Sequence, residues 1–156
     1  MRWLSVLVAL FWATAQGQAP AQVPGVVTFL TPEEMEAILK EEGYRYERVK
    51  EGEVVYFRLR MAGLRALLFL FDCKEGRCES LQLYAGFSME KPPTLERINR
   101  WNQEKRFSRA YLDQDGDSVL ESELDLQGGV TRRAIALFLD LFEESLSQFA
   151  AWIGFR

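Results

Sequence analysis

The chain has 156 residues, 48% of them hydrophobic and 27% charged, with a formal net charge of −4. That is the size and make-up of one globular domain. Its lysines and arginines are scattered and outnumbered, which excludes the basic tract that grips nucleic acid by releasing counterions, and the absence of histidine excludes His-based triads and His-ligated metals.

The chain opens MRWLSVLVALFWATAQGQA. Arg2 supplies a positive start, Trp3 to Trp12 an apolar run, and Ala13-Thr14-Ala15 a small-x-small cleavage site, with Gly17-Gln18-Ala19 as a second candidate. This layout predicts a signal peptide over residues 1–15. The run is shorter than the roughly 20 residues that span a bilayer. The expected product is therefore exported, periplasmic or extracellular, with no membrane span after cleavage. Residues 16–28, with Pro20, Pro24 and Gly25, read as a linker, which leaves 29–156 as the folded domain.

A helix is predicted to start at Thr31, with Pro32 at its first position and Glu34 placed for a capping box. Met35, Ile38 and Leu39 form its apolar stripe, and Gly43 stops it. Strand character follows over Tyr44–Val49 and Val54–Met61, with a turn at Glu51-Gly52. The continuous run Leu67–Phe71 (LLFLF) is expected to be a central strand covered on both faces, and Ser80–Phe87 alternates. After Lys91-Pro92-Pro93, Thr94 caps a second helix with Leu95, Ile98 and Trp101 at helical spacing. Ser108–Asp113 and Ser118–Leu126 read as strands. Thr131 caps a long last helix whose stripe is Ile135, Phe138, Leu139, Phe142, Leu146, Phe149 and Ile153. The expected architecture is α+β, an antiparallel sheet packed against flanking helices in the order α-ββββ-α-ββ-α.

Cys73 and Cys78 are the two cysteines. In an oxidising compartment they should pair, across the hairpin turn Lys74-Glu75-Gly76-Arg77. The spacing is not the C-x-x-C of redox pairs, and a structural zinc would need four ligands. Asp113, Asp115 and Asp117 imitate the start of a calcium loop, but its sixth position holds Ser118 and its twelfth Leu124, where that loop needs Gly and Glu. Asp115-Gly116 is instead a type I′ hairpin dipeptide. Alternation then places Val119, Glu121, Glu123 and Asp125 on one face of the following strand, with Glu121 and Glu123 as a solvated strip, and Leu120, Ser122, Leu124 and Leu126 on the other.

No nucleophile elbow, phosphate loop or dinucleotide fingerprint is present. A Glu121/Glu123 carboxylate dyad is conceivable, but a solvated strip does not tune two pKa values apart. No catalytic, cofactor or metal residues are therefore expected. Asn99, Trp101 and Asn102 form one candidate interaction surface, against a plain reading in which Trp101 packs its helix on the sheet and the amides tie loop backbone. Trp152 and Phe155 either close the core or stand exposed as an anchor for a partner.

Three stretches carry a family resemblance: DCKEGRCESLQLYAGF (Asp72 to Phe87), INRWNQEKRFSRAYLD (Ile98 to Asp113) and DGDSVLESELDLQGGVT (Asp115 to Thr131). Through them the chain resembles the YbjN-like family, labelled bacterial sensory transduction regulators. The resemblance implies a fold similar to type III secretion chaperones, small acidic dimers that bind segments of other proteins without catalysis. It carries over no catalytic residues. The resulting expectation is a non-catalytic, exported interaction module of the cell envelope, chaperone-like or regulatory, that forms a homodimer and binds an unidentified protein partner. The alternatives are a binder of a small apolar ligand, in a cleft lined by LLFLF, Tyr84 and Phe87 between sheet and helices, and a hydrolase of unknown type.

Overall fold

The computed structural model describes residues 25–155. The signal peptide expected at 1–15, and the linker up to residue 24, lie outside the described residues. Within them the order is β1 (Val26–Val27), α1 (Pro32–Glu41), β2 (Arg45–Glu51), β3 (Val54–Met61), β4 (Leu64–Lys74), β5 (Arg77–Phe87), α2 (Leu95–Glu104), β6 (Arg109–Leu112), β7 (Ser118–Asp125), β8 (Val130–Thr131) and α3 (Arg132–Ile153). Six strands form one antiparallel sheet in the order β2-β3-β4-β5-β7-β6, and β1 pairs with β8 in a separate two-stranded ribbon. The α+β expectation holds, with that ribbon added. β1 lies inside the stretch read as linker.

Helix starts follow from their caps. The Thr31 hydroxyl accepts from the Glu34 amide while Glu34 reaches back to the Thr31 amide, a complete capping box. Thr94 and Thr131 cap α2 and α3 through the amides of Arg97 and Ala134. Three two-residue loops close successive hairpins. Gly52 has φ 62° as the first central residue of Gly52-Glu53, the II′ arrangement, whereas Ala62-Gly63 and Glu75-Gly76 have positive φ at both positions, as type I′ requires. Cys73 and Cys78 face each other across the last of these and form the expected disulfide, with Cα atoms 3.9 Å apart. The loop proper is Glu75-Gly76, two residues rather than four.

All three helices feed one core on one face of the sheet. Met35, Ile38 and Leu39 of α1, Ile98 and Trp101 of α2, and the whole predicted stripe of α3 pack on Phe57, Leu59, Leu68, Leu70, Leu83 and Phe87. The run LLFLF is therefore not covered on both faces. Leu68 and Leu70 are buried, Leu67 and Phe69 are half-buried, and Phe71 is 46% exposed on the opposite side. A strand shows alternate side chains to opposite faces, and the helices cover only one of them. Among the described residues, LLFLF, Tyr84 and Phe87 line no cleft between sheet and helices, since Leu68, Leu70 and Phe87 sit in the packed core and Leu67, Phe69 and Tyr84 face away from it.

Candidate binding surfaces

The predicted aromatic sites close the core. Trp101 is 1% exposed and meets Phe149 and Trp152 edge-on at 5.0 and 5.9 Å. It is a packing residue and no part of an accessible surface, because its ring is already enclosed. Asn102 ties α2 to β6, donating to the Ala110 carbonyl at 2.9 Å and accepting from the Ala110 amide at 2.8 Å. Asn99 is exposed. Trp152 donates from Nε1 to the Arg97 carbonyl, its own carbonyl accepts from Arg97 Nε, and the Arg97 guanidinium lies over its ring. Phe155 packs edge-on to Phe87 at 4.9 Å. Trp152 and Phe155 thus fasten the end of α3 to α2 and the sheet. Of the five candidates, only Asn99 is left free of such a duty.

The acidic stretch is a hairpin tip. The Asp113 carboxylate accepts from the amides of Asp115 and Asp117, and Gly116, at φ 84°, donates to the Asp113 carbonyl. Asp115 keeps negative φ, so the loop is a type I turn followed by a left-handed glycine, not type I′. Among the described residues, no three of His, Cys, Asp and Glu are grouped to hold a metal ion.

Glu121 departs from the expected solvated strip. It is 5% exposed. Arg109, directly opposite on β6, donates to its Oε2 from Nε at 2.9 Å and Nη2 at 2.7 Å, and the Tyr111 hydroxyl donates to Oε1 at 2.6 Å. Arg109 also reaches Glu123 at 3.0 Å. The carboxylate is locked from both sides, which suits structure rather than proton transfer. Burial, then the bond to Glu121, raises the Tyr111 hydroxyl pKa well above the usual tyrosine range.

Two surfaces stand out as not covered by the described residues. One is the outer face of the sheet, where Phe69 meets Tyr56 at 5.4 Å and Phe71 at 5.9 Å in tilted contacts and Tyr84 edge-on at 6.5 Å. The other is the margin of β7. β6 pairs with Ser118–Glu121 only, so among the described residues no strand pairs with Ser122–Asp125 on that side. The Leu126 amide bonds Glu79 on the β5 side. By antiparallel alternation Glu123 then points its N–H and C=O away from β5, into a margin that Phe107 borders, the Phe107 carbonyl accepting from the Ser122 hydroxyl at 2.8 Å. Beside it is a groove of about 450 Å³ between β7 and α3, lined by Phe107, Leu124, Leu137, Phe138 and Leu141. Phe107 is 54% and Leu137 46% exposed. The opposite edge, β2, reads RYERVKE and is guarded by charge.

A family model described as YbjN, "Putative bacterial sensory transduction regulator", matches residues 31–155. The chain belongs to the YbjN family. That membership fits a non-catalytic regulatory or adaptor role. No curated protein matches the chain. Among solved structures, an uncharacterized protein from Methanothermobacter thermautotrophicus is similar, with TM-score 0.52 and 14% identity over 79% of this chain and 96% of that one. At that identity the likeness is one of fold alone. None of the described helices is long and apolar enough to cross a membrane.

Proposed function

We propose that this YbjN protein is an exported, non-catalytic adaptor that takes an extended segment of a partner protein along the margin of β7. The observation that carries the reading is the pairing mismatch. β7 runs to Asp125, its partner β6 covers it only to Glu121, and the unpaired stretch borders an apolar groove. An extended segment added there would satisfy the exposed backbone and lay alternate side chains on Leu137 and Phe107. The Cys73–Cys78 disulfide supports export, because such bonds persist in oxidising compartments. The working form is a homodimer, for which sedimentation equilibrium at on the order of 10 μM is the check, and monomer alone at that concentration counts against it.

The experiment is in-cell photocrosslinking from position 137 in the native host, with mass spectrometry of the captured protein and of the mature N-terminus. The reading expects one reproducible envelope partner, cleavage near Ala15, and loss of capture from a second photoreactive position, 107, when Leu137→Glu is added without loss of stability. Equal capture from exposed Asn99 would overturn the groove, and an intact leader would overturn export in its cleaved form.

A further inference from the structure

The outer face of the sheet carries a feature the adaptor reading does not use. Arg45, Arg60 and Arg65 are direct partners on three adjacent strands, Arg45 opposite Arg60 and Arg60 opposite Arg65. Directly opposed residues share a face, with Cβ atoms about 4.5–5.5 Å apart, and like charges so placed repel. Arg58 follows two residues along β3 on the same face. Arg58 is answered by Glu47 at 3.4 Å, and Arg60 donates to the Gly63 carbonyl at 2.9 Å. Among the described residues, neither Arg45 nor Arg65 has a carboxylate within 4.0 Å. A protein of net charge −4 thus sets three arginines in register on neighbouring strands, two of them without a carboxylate partner among the described residues.

The row borders a concavity of about 770 Å³, which all four arginines line together with Leu67, Tyr84 and Gly86. That volume lies within the roughly 300–1,000 Å³ usual for small-molecule sites. Tyr84 lies across Gly86, where an added Cβ would come within 3.0 Å of the Tyr84 hydroxyl. Next to the row the surface turns apolar: Leu67 opposite Tyr84, then Phe69 against Tyr56, then exposed Phe71. From Arg65 to Phe71 along β4 is about 20 Å at strand rise.

We propose that this face binds a monomeric amphiphilic carboxylate of the fatty-acid class. Its head sits on Arg45, Arg60 and Arg65, and its chain lies along Leu67, Phe69 and Phe71. The charge selects the occupant. Glu47 and Asp117 line the same concavity, so the arginines leave only a small positive surplus there, enough to hold one anionic head and not a run of them. A nucleic acid or an acidic polypeptide would need repeated cationic contacts, and the row ends after one strand repeat in an aromatic strip. Guanidinium forks match the planar carboxylate. The site is on a different surface from the β7 groove and stands or falls separately from it.

The test is backbone NMR of the full chain titrated with decanoate below its micellar concentration and, in parallel, with 1-octanol. Saturable shifts at Arg45, Arg60, Arg65, Leu67 and Tyr84 are expected, with decanoate at least about tenfold tighter than octanol, the scale of one charge-assisted contact. R45Q combined with R65Q changes two exposed side chains that hold no side-chain bond among the described residues. It should weaken decanoate about tenfold, leave octanol binding alone and, because it relieves like-charge repulsion, leave Tm no lower. Equal affinity for the two probes, shifts confined to other surfaces, or decanoate binding indifferent to R45Q/R65Q would each sink the proposal. Binding only to phosphatidylglycerol vesicles, or only to an acidic peptide, would replace the proposed occupant.

Discussion

Glu121 joins two strands through one carboxylate, and its burial makes the bonds from Arg109 and Tyr111 matter. Bonds to a charged group contribute about 1.5–3 kcal/mol when partners are enclosed. Arg109 has 60% of its side chain exposed and regains water when released, so Glu121→Gln should cost only about 1–2 kcal/mol, read as a lower urea midpoint at unchanged m value. No shift in midpoint would show the contact to be idle. Tyr111 gives a pH prediction. Its folded pKa is raised above 10.0, so the folded state holds this proton more tightly than the unfolded chain does. The corresponding stability is complete below the unfolded value and is lost as pH rises above it towards the folded one. Stability should therefore fall above about pH 10, less steeply in Tyr111→Phe, with tyrosinate absorbance and urea midpoints as the two readouts. A third case is Ala62, a non-glycine residue at φ 49° whose amide is held by the Glu143 carboxylate. The left-handed region costs an L-residue about 1–2 kcal/mol, and the looser unfolded chain of glycine returns part of that. Ala62→Gly should accordingly stabilise by up to about 1 kcal/mol in thermal or urea melts, and a destabilised variant would mean that the Ala62 methyl contributes packing.

Hairpins are the elements that set this sheet, and the disulfide reinforces a turn that already has its own chemistry. Cys73 and Cys78 are five residues apart, so the loop-closure model assigns the bond only about 2 kcal/mol. Serine at both positions should lower the urea midpoint by that amount while far-ultraviolet circular dichroism stays native, because Glu75-Gly76 still supplies the type I′ geometry. Loss of the fold would show the turn to be insufficient. The same local chemistry explains what the sequence discloses. Helix caps and the α3 stripe are legible because Thr31, Thr94 and Thr131 act on neighbours three residues away. Pairings between distant rows are less so. Arg109 meets Glu121 because the two mirror each other about the turn at Asp115, and Arg45, Arg60 and Arg65 align only when the loops at Gly52 and Ala62 are both two residues long. A reading of alternation alone assigns Glu121 to a face correctly but cannot say that Tyr111 and Arg109 will enclose it. LLFLF misleads for a related reason. An apolar run can be buried twice or stand with one face bare, and the choice rests on how many helices pack where.

At the scale of the molecule, α3 acts as a strut. Its 22 residues extend about 33 Å, and it bonds in succession to separate parts of the fold. Arg132 pairs with Glu41 of α1, Asp140 accepts from Tyr44, Glu143 holds the β3–β4 turn, Gln148 accepts from Lys105, and Trp152 interlocks with Arg97 of α2. Its apolar side runs through the core, with Phe142, Leu146 and Phe149 fully buried. A domain bound along one element in this way has no half that can unfold alone, so a single cooperative transition is expected. Phe142→Ala should then destabilise the whole by about 3–5 kcal/mol, a large share of the roughly 5–15 kcal/mol that domains possess. Leu137→Ala, on the exposed side of the same helix, should stay within about 0.5 kcal/mol. The pair separates the strut from the surface it presents, since Leu137 belongs to the β7 groove and not to the core. Urea unfolding of the chain without residues 1–15, followed by tryptophan fluorescence, which then sees Trp101 and Trp152 at the α2–α3 contact, and by circular dichroism, which sees the sheet as well, should give coincident curves for the wild type and both variants. Curves that part in Phe142→Ala, with fluorescence changing first, would mean that the helices detach from a sheet able to persist without them.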